Sequence, residues 1–403
     1  MILTCGSPAS ANLRAFFNFC RKIYLNLSSN DYLGLSQQGA LKEAVAAAIE
    51  KWRIWSGASR LITGNHQLYE CLEEKVARFK NIDASLIFSS CYMANIGMLS
   101  SLLQKGDRVF PDELNHASII DGIRMSKARV YIYRHGDTEH LEELISASSE
   151  EGRPVIVTDT VFSMDGDIAP LDILAAIRGG VTVSWWWTRP MSQVCWAEEA
   201  SGRLNFSRWK KDIDVTVGTF SKALGSYGAY VAGSRELIDF LTNRARSLIY
   251  TTALPPAVLA ANIASLEVIT QDPGLRERLK SNAAFLSQGL SGMGFRILPS
   301  QTAILPLMAG RDQQAVDIGG KLFQEGIIAK PILPPTVPAG SARIWKDYTP
   351  QKNLKTETSG KYLDGVSSLW TNVHGHVPAE TERRRHYILQ SNCLDIQGTH
   401  SYT

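Results

Sequence analysis

Between residues 84 and 157, short apolar runs alternate with helical or turn-rich stretches, and this alternation restricts the fold more than any other feature. Ala84-Ser-Leu-Ile-Phe88 reads as a buried strand, followed by a hydroxyl turn at Ser89 and Ser90 and a helix through Leu103. Arg108-Val-Phe110, Val130-Tyr-Ile-Tyr133 and Val155-Ile-Val157 read as further strands. Such alternation is satisfied by an α/β domain whose central, mostly parallel sheet carries helices on both faces. Upstream, residues 41–52 form an alanine-rich helical pattern and 68–79 a surface helix, with glycine and hydroxyl loops at 56–60 and 63–66 between them. Beyond Pro255-Pro256, two long helical patterns precede strands at 303–307 and 326–329, as in a smaller α+β domain. The expected organisation is an N-terminal segment over 1–35, a large domain over 36–256, a small domain over 257–345 and an irregular tail over 346–403. That tail is polar and lacks periodicity, so it reads as poorly ordered.

A second stretch adds chemistry. Val215-Thr-Val-Gly-Thr-Phe-Ser-Lys222-Ala-Leu-Gly225 reads as a buried strand ending in a tight hydroxyl turn that holds one lysine. At a strand mouth an amine can be desolvated, which lowers its pKa and lets it condense with an aldehyde. Thr219 and Ser221 offer hydroxyls of the right size for a phosphate. Lysine and phosphate ligands together suggest pyridoxal 5'-phosphate (PLP) as cofactor. An isolated Ser-Lys pair is more often a surface loop, so the rest of the chain decides. The turn at 89–91, between a strand and a helix, is an arrangement that aims backbone N–H groups at an anion.

Composition sets outer limits. A net charge of +3 over 403 residues is too small to imply nucleic acid or a membrane as partner. No apolar run approaches the ~20 residues of a spanning helix. Cys5, Cys20, Cys71, Cys91, Cys195 and Cys393 show neither C-x-x-C spacing nor a pairing pattern, so no metal site and a reducing, cytoplasmic setting are expected. The first thirty residues lack Asp and Glu and contain Arg14, Arg21 and Lys22, a faint likeness to a transit segment that leaves organellar targeting open.

Six motifs in order then carry a resemblance: Asn30-Asp-Tyr-Leu-Gly34, Gly57-Ala-Ser-Arg60, Asp112-Glu-Leu-Asn-His-Ala-Ser118, Val161-Phe-Ser-Met-Asp-Gly-Asp167, Thr219-Phe-Ser-Lys-Ala-Leu-Gly225 and Tyr250-Thr-Thr-Ala-Leu-Pro-Pro256. Together they resemble the α-oxoamine synthases, members of the fold-type I, aspartate-aminotransferase-like PLP enzymes. Ser29-Asn-Asp-Tyr32 and Pro334-Pro-Thr-Val-Pro-Ala-Gly340 lean toward the biotin-pathway branch. The resemblance implies Lys222 as Schiff-base lysine and proton shuttle, and His116 as the histidine stacked on the cofactor ring. Unaided, His116 reads as a capping or core histidine by about two to one. Cys91 and Tyr92 match a turn against the cofactor where many relatives carry Gly, which is tolerable if only the backbone N–H is used. Ser163 and Thr219 are implied as cofactor hydrogen-bond donors, and Thr251 and Thr252 as phosphate ligands reaching in from a second copy, hence a homodimer. Asn30 and Tyr32 are candidate substrate contacts, with a structural strand-and-turn role equally expected. The implied reaction joins L-alanine to a pimeloyl-CoA or acyl-carrier thioester with loss of CO2. A glycine-plus-acetyl-thioester member of the same family is the first alternative, and a catalytically silent dimerisation subunit the second.

Two family features are missing. After Val181-Thr-Val183 a relative shows an apolar strand, then Asp-x-Ala-His and Gly-Val-Leu-Gly, the Asp keeping the pyridine nitrogen protonated. Here the chain reads Ser184-Trp-Trp-Trp-Thr-Arg-Pro-Met-Ser-Gln-Val-Cys-Trp-Ala197, with no carboxylate or histidine, and a tryptophan run fits badly on a strand facing a cofactor. Tryptophan and methionine have single codons, which allows the neighbouring frame to be written. Read from each third base, Trp185-Trp-Trp-Thr188 yields Val-Val-Asp without freedom, Pro190-Met191 allows His, Gln193-Val194 allows Gly, Val194-Cys195 allows Val, and Cys195-Trp-Ala197 forces Leu-Gly. The missing motif therefore lies in the shifted frame at its proper spacing, and residues from about 184 to 200 are expected to be an out-of-frame reading. Relatives also follow Ala-Arg-Ile with Arg-x-Thr and a later His, the second arginine gripping the substrate carboxylate. Here Ala342-Arg-Ile344 runs into Trp345-Lys-Asp-Tyr-Thr, so Arg343 matches the first arginine and is not assigned that grip. An impaired catalyst is the expectation.

Overall fold

The structure, a computed structural model, describes residues 16–19, 22–148, 151–180, 184–189, 214–300 and 302–345. The expected tail at 346–403, the stretch 190–200 and residues 1–15 lie outside the described residues. The chain divides into two compact units, one of 35–163 with 167–276, the other of 1–34, 164–166 and 277–403.

The first unit is built on a seven-stranded sheet. In chain order its elements are α1 (Gly39–Lys51), α2 (Gln67–Lys80), β3 (Ala84–Phe88), α3 (Cys91–Leu102), β4 (Arg108–Pro111), α4 (Ala117–Ser126), β5 (Arg129–Val130), α5 (Thr138–Ala147), β6 (Pro154–Asp159), α6 (Leu171–Gly180), β7 (Ser184–Arg189), β8 (Val215–Thr219), β9 (Ala229–Gly233), α7 (Arg235–Arg244), α8 (Arg246–Ile249) and α9 (Pro256–Gln271); β1 and β2 precede them in the other unit. The strands run β3-β9-β8-β7-β6-β4-β5. All pairings are parallel except those of β9, which is antiparallel to both β3 and β8. Every residue of β3, β6 and β8 is buried, as expected for strands covered on both faces. Alternate residues feed two cores. Val109, Val155 and Val157 join Met98, Leu99, Ile119 and Ile123 on one side, while Phe110 and Ile156 join Leu141, Leu174 and Ile177 on the other. Helices α3 and α4 approach closely at Gly122, where an added Cβ would sit 2.8 Å from Leu99 Cδ1.

Two sequence expectations shift. The strand expected over 130–133 shortens to β5, followed by a single bridge between Asp112 and Tyr133. The break expected at 256 falls instead between Arg276 and Glu277, because α9 packs against α1 and α2. The tryptophan run nevertheless forms a strand: β7 pairs with β6 and β8 in the middle of the sheet. A ladder of backbone hydrogen bonds asks only for strand dihedrals, and tryptophan has good β propensity.

The second unit holds two three-stranded sheets. In one, β2 (Lys22–Asn26) pairs antiparallel with β1 (Phe16–Phe19) and parallel with β11 (Ile327–Ile328). In the other, β13 (Ala342–Trp345) lies between β10 (Leu307–Gly310) and β12 (Lys330–Ile332). The strand expected over 303–307 thus begins at Leu307. Tyr24 stacks on Phe323 of α11 (Asp312–Gln324) with ring centroids 4.7 Å apart, and α10 (Gly274–Gly292) supplies the helix that precedes these strands.

Candidate active site

In a sheet with parallel strands the carboxyl ends share one edge, where connecting loops can converge on a ligand. Strand β3 ends at Phe88 and leads through Ser90 to Cys91; β4 ends at Pro111 and leads to His116. Strand β6 ends at Asp159 and leads to Ser163, β7 passes Thr188, and β8 ends at Thr219 and leads to Lys222. Because β9 reverses direction, β3 and β8 point the same way, so all five ends meet at one edge.

The first turn of α3 opens that edge. Ser90 caps the helix by accepting the Met93 N–H at 3.2 Å, which leaves the Cys91 and Tyr92 N–H groups at positions where a helix offers no internal acceptor. These are the donors an anion would use. The Cys91 thiol is pushed up to about 12, chiefly by burial, with Asp159 raising it further and Lys222 opposing. It is therefore an inert side chain, and its electrostatics put Asp159, Lys222 and Cys91 in one bay. The Tyr92 phenol donates to Asp121 on α4.

His116 is the N-cap of α4. Its Nδ1 accepts the Ser118 N–H at 3.2 Å and lies 2.8 Å from Ser118 Oγ, which in turn receives the Asn95 Nδ2 donor at 2.8 Å. An Nδ1 that accepts a backbone N–H carries no proton, so the neutral ring holds its proton on Nε2. The capping role read from sequence is present, and the same bonds fix the ring. The His116 N–H itself donates to Asp159 Oδ2 at 2.9 Å.

Lys222 is half-buried in a turn closed by Phe220 N–H to Gly228 O at 2.9 Å and Gly225 N–H to Lys222 O at 2.9 Å. Gly225 has φ +62°, and a Cβ there would stand 2.4 Å from the Ser36 backbone nitrogen. The two hydroxyls expected to meet phosphate are used locally. Thr219 Oγ1 donates to Gly228 O at 3.0 Å and accepts the Ser221 N–H, while Ser221 Oγ donates to the same carbonyl at 3.3 Å and accepts the Gly228 N–H. A hydroxyl has one proton, so in this arrangement both shape the lysine turn, and phosphate donors fall to the α3 backbone. Ser163 is half-buried on the loop after β6. Thr251 is half-buried and Thr252 exposed, the latter in an isolated bridge to Ser59. Asn30 and Tyr32 belong to the other unit, where Tyr32 is 2% exposed and its hydroxyl reaches Asn30 Oδ1 at 3.4 Å. That burial gives Tyr32 a structural part.

Other motif residues prove to be anchors. Arg60 forks onto Glu73 at 2.6 and 3.1 Å and lies over the Tyr69 ring at 4.1 Å. Arg343, 3% exposed, pairs with Asp165 and donates to Met164 O at 3.1 Å, a structural grip that agrees with withholding a substrate role from it. The sequence reading passed over two groups. One is Asp159, whose signal is a buried polar run, Thr158-Asp-Thr160, at the end of an apolar strand. The other is His135, held between Asp112 and Asp167 at 2.9 Å on each nitrogen. Among the described residues, no helix is long and apolar enough to cross a membrane and no group of three or more His, Cys, Asp or Glu could hold a metal ion.

Comparison with known proteins gives a consistent picture. The family model for aminotransferase class I and II matches residues 22–354. A relative named 8-amino-7-oxononanoate synthase, from Geobacter metallireducens, is 44% identical over 79% of this chain and 82% of its own length. Serine palmitoyltransferase of Sphingomonas wittichii superimposes with a TM-score of 0.84 at 26% identity, covering 90% of this chain and 91% of the other. A structure of such a transferase holding PLP gives a TM-score of 0.82 at 27% identity, over 92% and 90% of the two chains.

Proposed function

Since the chain belongs to the class I and II aminotransferase family, within its α-oxoamine synthase group of PLP-dependent acyltransferases, we propose that it joins L-alanine to a pimeloyl thioester, releasing CO2 and the free thiol. The observation that supports this best is the meeting of five strand ends around Lys222, His116 and the first turn of α3. The donor set suits PLP. Backbone N–H groups of Cys91 and Tyr92 would take the phosphate, helped by the positive end of the helix dipole. The Lys222 amine would take the aldehyde carbon, and the His116 ring, oriented through Ser118 and Asn95, would lie on the pyridine face with its Nε2–H outward. When bound, PLP supplies an electron sink for the charge left on the α-carbon of the amino acid.

Lys222 then has a second task. Displaced from the aldehyde by the incoming amine of alanine, its neutral Nζ would take the α-proton, and the exposed α-carbon would attack the thioester carbonyl with departure of the thiolate. Carbon dioxide leaves in the subsequent decarboxylation. Thr188 stands where relatives carry the carboxylate that faces the ring nitrogen, so turnover is lowered; one such charge-stabilising contact is worth about 3–4 kcal/mol.

A second copy completes the site in this reading. Ile54, Trp55, Leu61, Ile62 and Tyr250 are each at least 60% exposed, and Ser59 within this stretch bridges to Thr252. An apolar surface of this extent beside the threonines favours a homodimer whose partner supplies Thr251 and Thr252.

The test is spectroscopic first. Purified protein given PLP should turn yellow, with a visible band removed by borohydride and absent in Lys222→Ala; a colourless wild-type protein would sink the proposal. Faster turnover with alanine and pimeloyl-CoA than with glycine and acetyl-CoA is the expected substrate preference, and the reverse would move the chain to the glycine-using branch.

A further inference from the structure

Strand β7 runs between β6 and β8 in a register that pairs Thr188 with Asp159 on one side and Val217 on the other. The junction of Trp187 and Thr188 is also where the shifted frame encodes the missing Asp. The vacancy and a native carboxylate therefore occupy matching rungs of adjacent strands, about 4.8 Å apart. Asp159 ends β6 at the carboxyl edge of the sheet and is 5% exposed. Its Oδ2 is tied to the His116 N–H at 2.9 Å, which fixes the carboxylate beneath the turn that carries the histidine. It also acts on the Cys91 thiol from the same bay as Lys222. Three groups on three different strand ends thus surround one negative charge.

We infer that the Asp159 carboxylate serves this chain as the anionic partner of the cofactor's ring nitrogen, the position left without a charge at Thr188. The inference rests on the PLP reading above. An opposite charge within about 4–6 Å favours the protonated pyridine nitrogen, and a cationic ring in return offsets the cost of keeping a carboxylate out of water. Asp159 holds charge at the ring and exchanges no proton with substrate.

Asp159→Asn separates this role from a structural one, because the amide oxygen can still accept the His116 N–H while the charge is gone. Apo-protein titrated with PLP, followed by fluorescence quenching, should bind about tenfold or more weakly in Asp159→Asn than in wild type. The pH at which the visible band of bound cofactor changes should move as well. Asp159→Glu should keep wild-type affinity, and Thr188→Asp placed in the Asp159→Asn background should restore both readouts. Unchanged far-ultraviolet circular dichroism would show that each variant folds. Wild type that takes up PLP through Lys222 while Asp159→Asn matches it in affinity and pH profile would overturn the inference and leave the cofactor reading standing. No uptake by any of the proteins would overturn both.

Discussion

His135 shows how much one side chain can organise. Burial alone would make its charged form less stable, but hydrogen bonds to Asp112 and Asp167 outweigh that and lift its pKa to about 10. Phe162 packs against the ring at 4.3 Å, and the Phe162 N–H binds Asp167 O at 3.1 Å. The cation therefore ties the beginning of the Ser163 loop to the end of β4. Since the folded value lies above the unfolded value of about 6.5, the stabilisation is complete below pH 6.5 and disappears as pH rises through 10. Wild type should lose more melting temperature between pH 7 and 10.5 than His135→Gln, as read by calorimetry. Equal losses would show that the ring is neutral in the folded protein. None of this was legible in the sequence: Asp112 and Asp167 bounded two recognised motifs, yet a histidine between carboxylates 23 and 32 residues away leaves no local pattern.

At the level of elements, sequence and structure agree where burial is two-sided. Strand β3 has the expected limits, and α1, α2 and α3 fall within two residues of theirs at either end. Runs of this sort announce themselves because every residue is apolar and the flanking turns are polar. Val130-Tyr-Ile-Tyr133 misled because it lies at the sheet margin, where Val130 and Ile132 are 44% and 59% exposed and β propensity has nothing to pack on. Lys222, Cys91 and His116 were legible as motif positions. The inward turn of the Thr219 and Ser221 hydroxyls was not, because their partner Gly228 is set by the loop's closure. The layer of α3 and α4 on the sheet gives a direct energetic test. Leu99 is fully buried between them, so Leu99→Ala should destabilise the protein by about 2–5 kcal/mol. A denaturant midpoint unchanged from wild type would contradict the packing described.

For the whole molecule, the open question is assembly. The apolar stretch at 54–62 with Tyr250 is larger than a solitary protein tolerates in water, and a second copy is its proposed cover. A charge placed there should break the pair. Ile62→Glu, at a position 71% exposed, should sediment as a monomer where wild type sediments as a dimer, and should bind PLP less tightly because the partner's threonines are lost. Wild type that sediments as a monomer under the same conditions would remove the dimer from the proposal.

The interior position of β7 carries a final lesson. Its rungs are shared with neighbours on both flanks, and main-chain bonding is indifferent to what each residue bears. A slip of one nucleotide rewrites every side chain in such a segment and can still leave its trace through the sheet intact. Form and chemistry can thus part company in a single stretch of gene: scattering or sedimentation would report a healthy particle, and only the colour of its bound vitamin would betray the change.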